Sequence, residues 1–398
     1  MGSIKDRVAI VGMGCTKFGE NWDMSLRDML IDAAYEAYED AGIEPNDIEA
    51  VWFADYLSDL PGSGMVLGKA LKVGYKPVTR LENMCCSGSE AIRGAAYAVA
   101  SGAYDIALAI GGEKLKDNGF AGLPEGEMAV GSFGVENTYR ARSHSGPGMF
   151  ALMATSYFAK YGLSMDEGRR MLAQIDVKNH HNGTLHPKSH LKREITVEQA
   201  LNAPVIAWPL GLYDCCGVSD GAAAAIIVRA DMAKKFRPDP VYIKALQIAC
   251  GSGEGDLDSN YDYAHVEENR RGAQAAYAEA GIKNPAEEIS MAEVHDCFSI
   301  HEAVIYEDLG FCPVGKAKEY IEAGHFTLEG KLPVNTDGGL KCFGHPTAAS
   351  GIRMLYEEYN QLQGKAGPRQ LKNPKLGLVH NLGGVPSTGV CSIAIVGL

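Results

Sequence analysis

Ala37-Tyr38-Glu39-Asp40-Ala41-Gly42-Ile43 precedes the apolar run Ala50–Ala54, and Ala276-Tyr277-Ala278-Glu279-Ala280-Gly281-Ile282 precedes the apolar run Ile289–Val294. Five of the seven positions match, and in both the glycine falls where a helix would stop. Self-similarity of this kind, in the same order of elements, points to an internal duplication. Outward from the first copy, Val8–Gly12 and Asp105–Gly111 read as buried strands, while Leu26–Ala41 and Ala91–Ser101 carry helical periodicity. Around the second copy, Tyr242–Ala249, Gly377–His380 and Val390–Val396 are the strands, and Arg271–Ala280, Ile300–Leu309 and Thr347–Leu362 the helices. This alternation predicts an α/β layered fold of two related halves. The region 113–210 reads differently, with the glycine turns Gly131–Gly134 and Ser145–Gly148, polar helices and a histidine-rich, turn-rich stretch Lys178–His190. The predicted division is 1–112 for the first part of the N-terminal half, 113–210 for an inserted loop domain, 211–240 for a returning strand around Ala222–Val228, and 241–398 for the C-terminal half.

Composition narrows the function classes. The 398 residues carry 37 Lys+Arg against 50 Asp+Glu, a net charge of -13, which argues against nucleic acid as a partner because a phosphate-binding face needs a basic excess. No apolar run reaches membrane-spanning length, and Val8–Val11 is too short for the core of a signal peptide. The ten cysteines include the adjacent pairs Cys85-Cys86 and Cys215-Cys216 but no C-x-x-C, so neither a disulfide framework nor a zinc ribbon is expected. A reduced, cytoplasmic enzyme is the expectation.

Gly12-Met13-Gly14 after a strand invites a dinucleotide reading, but Lys17 stands where the third glycine belongs. Glu82-Asn83-Met84-Cys85-Cys86-Ser87-Gly88 opens a helix, where the dipole and unpaired N–H groups favour a nucleophilic thiolate. Gly344-His345-Pro346 opens another, with proline suited to the first helical position. If the halves are duplicated, Cys85 and His345 occupy equivalent places and can face one cleft as an activated nucleophile. Glu293-Val294-His295-Asp296-Cys297-Phe298-Ser299 ends a strand, the place where ligands bind in α/β sheets. There His295 is a candidate oxyanion donor and Cys297 a second thiol able to move a proton, while Ser299–Glu302 reads as a capping box with no catalytic part. His180, His181, His186 and His190 lack an accompanying cysteine, and the acidic stretch Asp256–Asn260 with Glu267 has Tyr261 where a calcium loop needs glycine. No metal is expected.

Together these motifs resemble the thiolase superfamily. The order Cys85-x-Ser87-Gly88, Gly102–Asp105 with Gly111-Gly112-Glu113, Ser219–Ala223, His295-Asp296-Cys297-Phe298, Gly344-His345-Pro346 and His380-Asn381-Leu382-Gly383-Gly384 is similar to that of sterol-carrier-protein-type and archaeal-like thiolases. The resemblance implies a five-layer αβαβα thiolase fold from two duplicated halves with an inserted loop domain, and a homodimeric core. It implies Cys85 as the nucleophile that takes the acyl group, His345 as its activator, His295 at the thioester oxygen and Cys297 as acid/base. The oxyanion hole would be backbone, from Cys85 and Gly383 or Gly384. The implied reaction is CoA-dependent thiolytic cleavage of a β-ketoacyl-CoA, or the reverse Claisen condensation, with coenzyme A as co-substrate. The chain also resembles large subunits of two-component thiolases that work with a small OB-fold zinc-ribbon subunit, such as those acting on benzoylsuccinyl-CoA to give benzoyl-CoA and succinyl-CoA. The alternatives are a ketosynthase-like condensing enzyme, a related aldolase, and a non-catalytic acyl-CoA-binding or scaffold subunit of the same fold.

Overall fold

The structure is a computed structural model that describes residues 2–57, 63–118, 145–253, 260–386 and 388–398. The first half runs β1 (Val8–Cys15), α1 (Leu26–Ala41), β2 (Ala50–Ala54), α2 (Ser63–Ala70), β3 (Val78–Leu81), α3 (Ser87–Ala100) and β4 (Ile106–Glu113). Next come α4 (Gly146–Lys160), α5 (Met165–Leu185), α6 (Val197–Leu201), the hairpin β5 (Val205–Ala207) and β6 (Leu210–Gly211), and the strand β7 (Gly221–Arg229). The second half runs β8 (Val241–Cys250), α7 (Glu267–Ala280), α8 (Pro285–Glu288), β9 (Met291–Glu293), α9 (Ser299–Asp308), α10 (Ala317–Glu322), α11 (Gly339–Cys342), α12 (Thr347–Leu362), β10 (Leu376–Gly383) and β11 (Val390–Gly397).

Nine described strands form one hydrogen-bonded array in the order β3-β2-β4-β7-β1-β8-β11-β10-β9. Its two ends mirror each other. β2 is parallel to β4 as β9 is to β10, β4 antiparallel to β7 as β10 is to β11, and β7 antiparallel to β1 as β11 is to β8. The halves meet where Ala9 and Ile10 pair with Tyr242 and Val241. The repeated heptapeptide has a structural cause: Gly42 (φ 67) and Gly281 (φ 81) both end their helices in the left-handed conformation. In each copy the isoleucine N–H then bonds back to the matching tyrosine carbonyl, Ile43 to Tyr38 and Ile282 to Tyr277.

Burial sets the layers. α1 covers one face of the first half through Met29, Leu30, Ala33 and Ala37, and α7 covers the far face of the second through Gly272, Ala273 and Ala276. Between the halves lie α3 and α12, whose Ala91, Ile92, Ala95, Ala348, Ile352 and Leu355 join strand residues of both in one core. The result is α–β–α–β–α. The predicted strands and helices stand with ends shifted by a few residues, whereas β3, with a half-exposed pattern and Arg80 within it, has no apolar signal. The stretch Lys178–Leu185 is not turn-rich but the end of α5, because half-buried Lys178 and buried Asn179 and Asn182 line the face of that helix towards Glu302, Asp296 and the Asn335 carbonyl. Ser145 likewise caps α4 by accepting from the Gly148 N–H, so that glycine cluster starts a helix. Gly131–Gly134 and residues 256–259 lie outside the described residues.

The middle layer depends on glycine. A Cβ on Gly88 of α3 would sit 2.6 Å from the Ala348 carbonyl oxygen, and one on Gly351 of α12 would sit 2.7 Å from the Ser89 nitrogen. The backbones of the two helices therefore touch. Arg353, wholly buried, pins α12 to the second half through Glu293 (2.9 Å) and Asp337 (2.5 Å). Gly351→Ala is expected to cost about 1–3 kcal/mol in denaturant unfolding by overpacking this crossing. Its larger effect should be a loss of about 100-fold in turnover, because the groups carried at the two helix entrances would separate.

Candidate active site

Each helix of the crossing begins beside a candidate site residue. Cys86 is the N-cap of α3, which places Cys85 one residue outside the helix. The preceding turn is tight: Met84 adopts φ 50, and the Ser87 hydroxyl accepts from the Asn83 N–H (2.8 Å) while donating to the Met84 carbonyl (2.5 Å). A left-handed methionine is strained, so this turn is held by its surroundings rather than by preference. His345 precedes α12 in the same way. Pro346 has ψ 105, which is extended, so it is the N-cap rather than the first helical residue.

Hydrogen bonds set the tautomers. Ser350 Oγ donates to the Pro346 carbonyl (2.9 Å), so at 2.7 Å it accepts from His345 Nδ1–H. Asn381 Nδ2 donates to the Cys85 carbonyl (3.0 Å), which turns its Oδ1 to His295 and makes it accept from Nδ1–H at 2.8 Å. Both imidazoles are left with a lone pair on Nε2. The Cys85 sulfur and one ring nitrogen from each of His295 and His345 lie within 4.8 Å of one another, and the two rings meet nearly at right angles with centroids 5.1 Å apart. The chain thus brings together Cys85, His295 and His345 from three separate segments. This thiol and two imidazoles form the one cluster among the described residues with the spacing to hold a cation.

Electrostatics correct one expectation. The helix entrance does not produce a resting thiolate. Burial pushes the Cys85 thiol up to about 12, the N–H groups of Gly384 and of Cys85 itself pull it down, and the Glu113 carboxylate opposes them. Desolvation is the largest effect, and among the described residues no cation offsets it. Burial also lowers the imidazoles, His295 to about 4 and His345 well below its ordinary range. The centre therefore rests as a neutral thiol beside neutral bases. His295 becomes an oxyanion donor only after gaining a proton on Nε2. Gly384 and Cys85 present their amides at the sulfur, while Gly383 packs on Asn83 and Cys86.

Cys297 is buried behind this group, and burial pushes its thiol well above the usual range. Asp296 has a structural part, accepting from the Leu340 and Lys341 N–H groups and from Asn179 Nδ2. Ser299–Glu302 is not a capping box. Phe298 is the N-cap, Ser299 donates to Asp176, and Glu302 takes Lys178 and Asn179, because buried cations draw both side chains away from the helix end. The fold places four further residues here that sequence patterns leave without a role: Asn381, Ser350, His301 and Cys216. Cys216 donates its N–H to the Cys297 carbonyl at 2.9 Å. A signal for Asn381 is present in His380-Asn381-Leu382-Gly383-Gly384; for the others the pairing is purely tertiary. His180, His181, His186 and His190 do not gather but bond separately, to the Arg193 carbonyl, Glu194, the Lys188 N–H and Ser219. Cys391 is buried in β11, as expected of a core residue.

Neutral imidazoles give a pH signature. A base whose pKa is lowered stays unprotonated as the pH falls through the ordinary histidine value of 6.5. Alkylation of Cys85 by iodoacetamide should therefore show no protonation step between about pH 7.5 and about pH 5.5. In His345→Ala it should slow by about 100-fold across that range. A midpoint near 6.5 would contradict the burial argument.

The sequence comparisons agree with the geometry. The model described as "Thiolase, N-terminal domain" matches residues 8–231, and "Thiolase C-terminal domain-like" matches 252–395. The acetyl-CoA acetyltransferase of Methanothermobacter thermautotrophicus is 37% identical over 97% of this chain and 98% of that protein. Benzoylsuccinyl-CoA thiolase subunit BbsB of Thauera aromatica is 29% identical over 96% of each. Among solved structures, a chain of the Ltp2-ChsH2(DUF35) aldolase superposes with a TM-score of 0.83, 25% identity and coverage of 99% and 98%. Among the described residues no helix is long and apolar enough to cross a membrane. The chain belongs to the thiolase family and is an acyltransferase.

Proposed function

We propose that this protein cleaves a β-ketoacyl-CoA with coenzyme A through an acyl-Cys85 intermediate, and runs the Claisen condensation in reverse. The observation that carries this reading is the meeting of Cys85, His295 and His345 within 4.8 Å, with the bonded Nδ1 of each imidazole leaving Nε2 as the free base. Cys85 passes its proton to His345 Nε2 as the sulfur attacks C3 of the substrate. The oxygen that gains charge is met by backbone N–H groups at Cys85 and Gly384 and by the imidazolium just formed. The C2–C3 bond then breaks, and the departing C2 takes the Cys297 proton. A CoA thiol restores the Cys297 S–H as its sulfur attacks the acyl group, and Cys85 leaves to regain its proton from His345. Atoms and protons balance, with no group beyond the two CoA species.

The finer reading is a degradative, cytoplasmic enzyme with a homodimeric core, acting on an aromatic substrate such as benzoylsuccinyl-CoA beside a small OB-fold zinc-ribbon subunit. Support comes from the relative named as a thiolase subunit and the neighbour named with a DUF35 partner. Residues 113–210, as an inserted loop domain, and the loop 251–268 would set acyl-chain specificity. That neighbour is named an aldolase; an aldolase needs no acyl-accepting thiol, and Cys85 beside His345 in one cluster favours the thiolase reading here.

The test is cleavage of a panel of β-ketoacyl-CoA esters, aryl and succinyl types included, by the protein purified together with any small subunit encoded beside it. CoA-dependent cleavage of at least one ester is expected, with acyl-Cys85 seen by intact mass. Cys85→Ala should abolish both. Cys297→Ala should still acylate but lose turnover by about 1,000-fold. Failure of every ester, with the small subunit present, would overturn the assignment.

A further inference from the structure

His301 is a buried histidine that the reaction above does not use. It lies on α9, one helical turn beyond Cys297, with no exposure to solvent. Its Nδ1 stands 4.0 Å from Cys297 Sγ, while its Nε2 is buried with no hydrogen-bond partner among the described residues. Around the ring are Phe150 (centroids 5.3 Å apart), His295 (5.7 Å) and His380 (5.8 Å). His380 Nε2 is taken by Asn269 and His295 Nδ1 by Asn381, so neither neighbour has its fixed nitrogen to offer. An orphaned polar atom in a core costs about 1–3 kcal/mol, and a leucine would fill the same space without that cost. The polar groups that meet the ring are Cys297 Sγ and the His295 backbone, and of these only the thiol can gain charge.

We propose that His301 is the positioning residue for the proton on Cys297, a role that rests on Cys297 being the acid/base thiol. When the S–H bond of Cys297 breaks and the C2–H bond forms, a thiolate appears in a site walled by Phe150 and Phe298, which are stacked 4.5 Å apart. His301 turns Nδ1–H to that sulfur and holds the thiolate until the CoA thiol returns a proton. In condensation the same contact holds the thiolate that removes the C2 proton.

Two half-reactions separate this role from a structural one. Exchange of the methyl hydrogens of acetyl-CoA with deuterated solvent, followed by NMR, reports Cys297. Transfer of acetyl from acetyl-CoA to isotopically labelled CoA reports Cys85 and His345. His301→Leu is expected to lower methyl exchange by about 100-fold, the effect of removing one charge-stabilising donor, with acetyl transfer changed less than about twofold. His301→Asn, which keeps an N–H near the Nδ1 position, should recover most of the exchange and serves if the leucine variant does not fold. Unchanged methyl exchange in His301→Leu overturns the role, as does an equal fall in both half-reactions. Methyl exchange that survives in Cys297→Ala overturns the acid/base assignment itself and the His301 role with it.

Discussion

The whole arrangement depends on two helices touching backbone to backbone. Without side chains at Gly88 and Gly351, α3 and α12 approach closely, and the space a Cβ on Gly351 would need is taken by the Asn381 amide, 2.7 Å away. Asn381 sits on β10 and donates to the Cys85 carbonyl and to Ser89 Oγ, while accepting from His295. One side chain thereby fixes the nucleophile turn, the start of α3 and the tautomer of an imidazole. The duplication makes this possible. α3 precedes β4 as α12 precedes β10, so the layer between the halves holds two equivalent helix entrances that face each other.

That layer is largely buried, and burial sets the chemistry. A thiolate at a helix entrance in water would be stabilised by the dipole, but here the loss of solvent outweighs two N–H contacts and keeps Cys85 protonated. The same loss keeps His295 and His345 neutral. Charge then appears only when substrate is present to take it up. The permanent charges needed to hold the framework stand apart from the thiol: Arg353 with Glu293 and Asp337, and Lys341 with Asp176, each pair buried and hydrogen-bonded. Breaking one such pair leaves an uncompensated buried ion, which is far more costly than the net contribution of the pair itself.

Much of this is legible in the amino-acid sequence. The repeated helix end, its glycine and the following strand follow from local backbone physics, and Leu26–Ala41 and Thr347–Leu362 end where the periodicity ends. Cys85, His295 and His345 stand out because each sits at an element boundary. The misreadings share one cause, a local rule overruled by a distant partner. Ser299 looks like a cap until Asp176 and Lys341 are brought beside it. Lys178–Leu185 looks like a turn until its polar side chains find partners on the second half. The tautomers of His295 and His345 cannot be read locally at all, since they are set by Asn381 and by a serine whose own proton is committed elsewhere.

The two thiols of the site are built differently, and the difference matches their work. Cys85 is partly accessible, lies beside two amides and faces two imidazoles with free lone pairs, which suits a sulfur that must lose its proton and bond to carbon. Cys297 is buried and has one imidazole at 4.0 Å, which suits the role proposed for it, a sulfur that keeps its proton until carbon takes it. If both thiols shared one imidazole, protonating it at the first step would disturb the second. In the proposed reaction, separate partners, His345 for one and His301 for the other, would let carbon–sulfur bond formation and carbon protonation proceed in sequence. The histidine at position 301 thus completes a pattern that the nucleophile and its base begin.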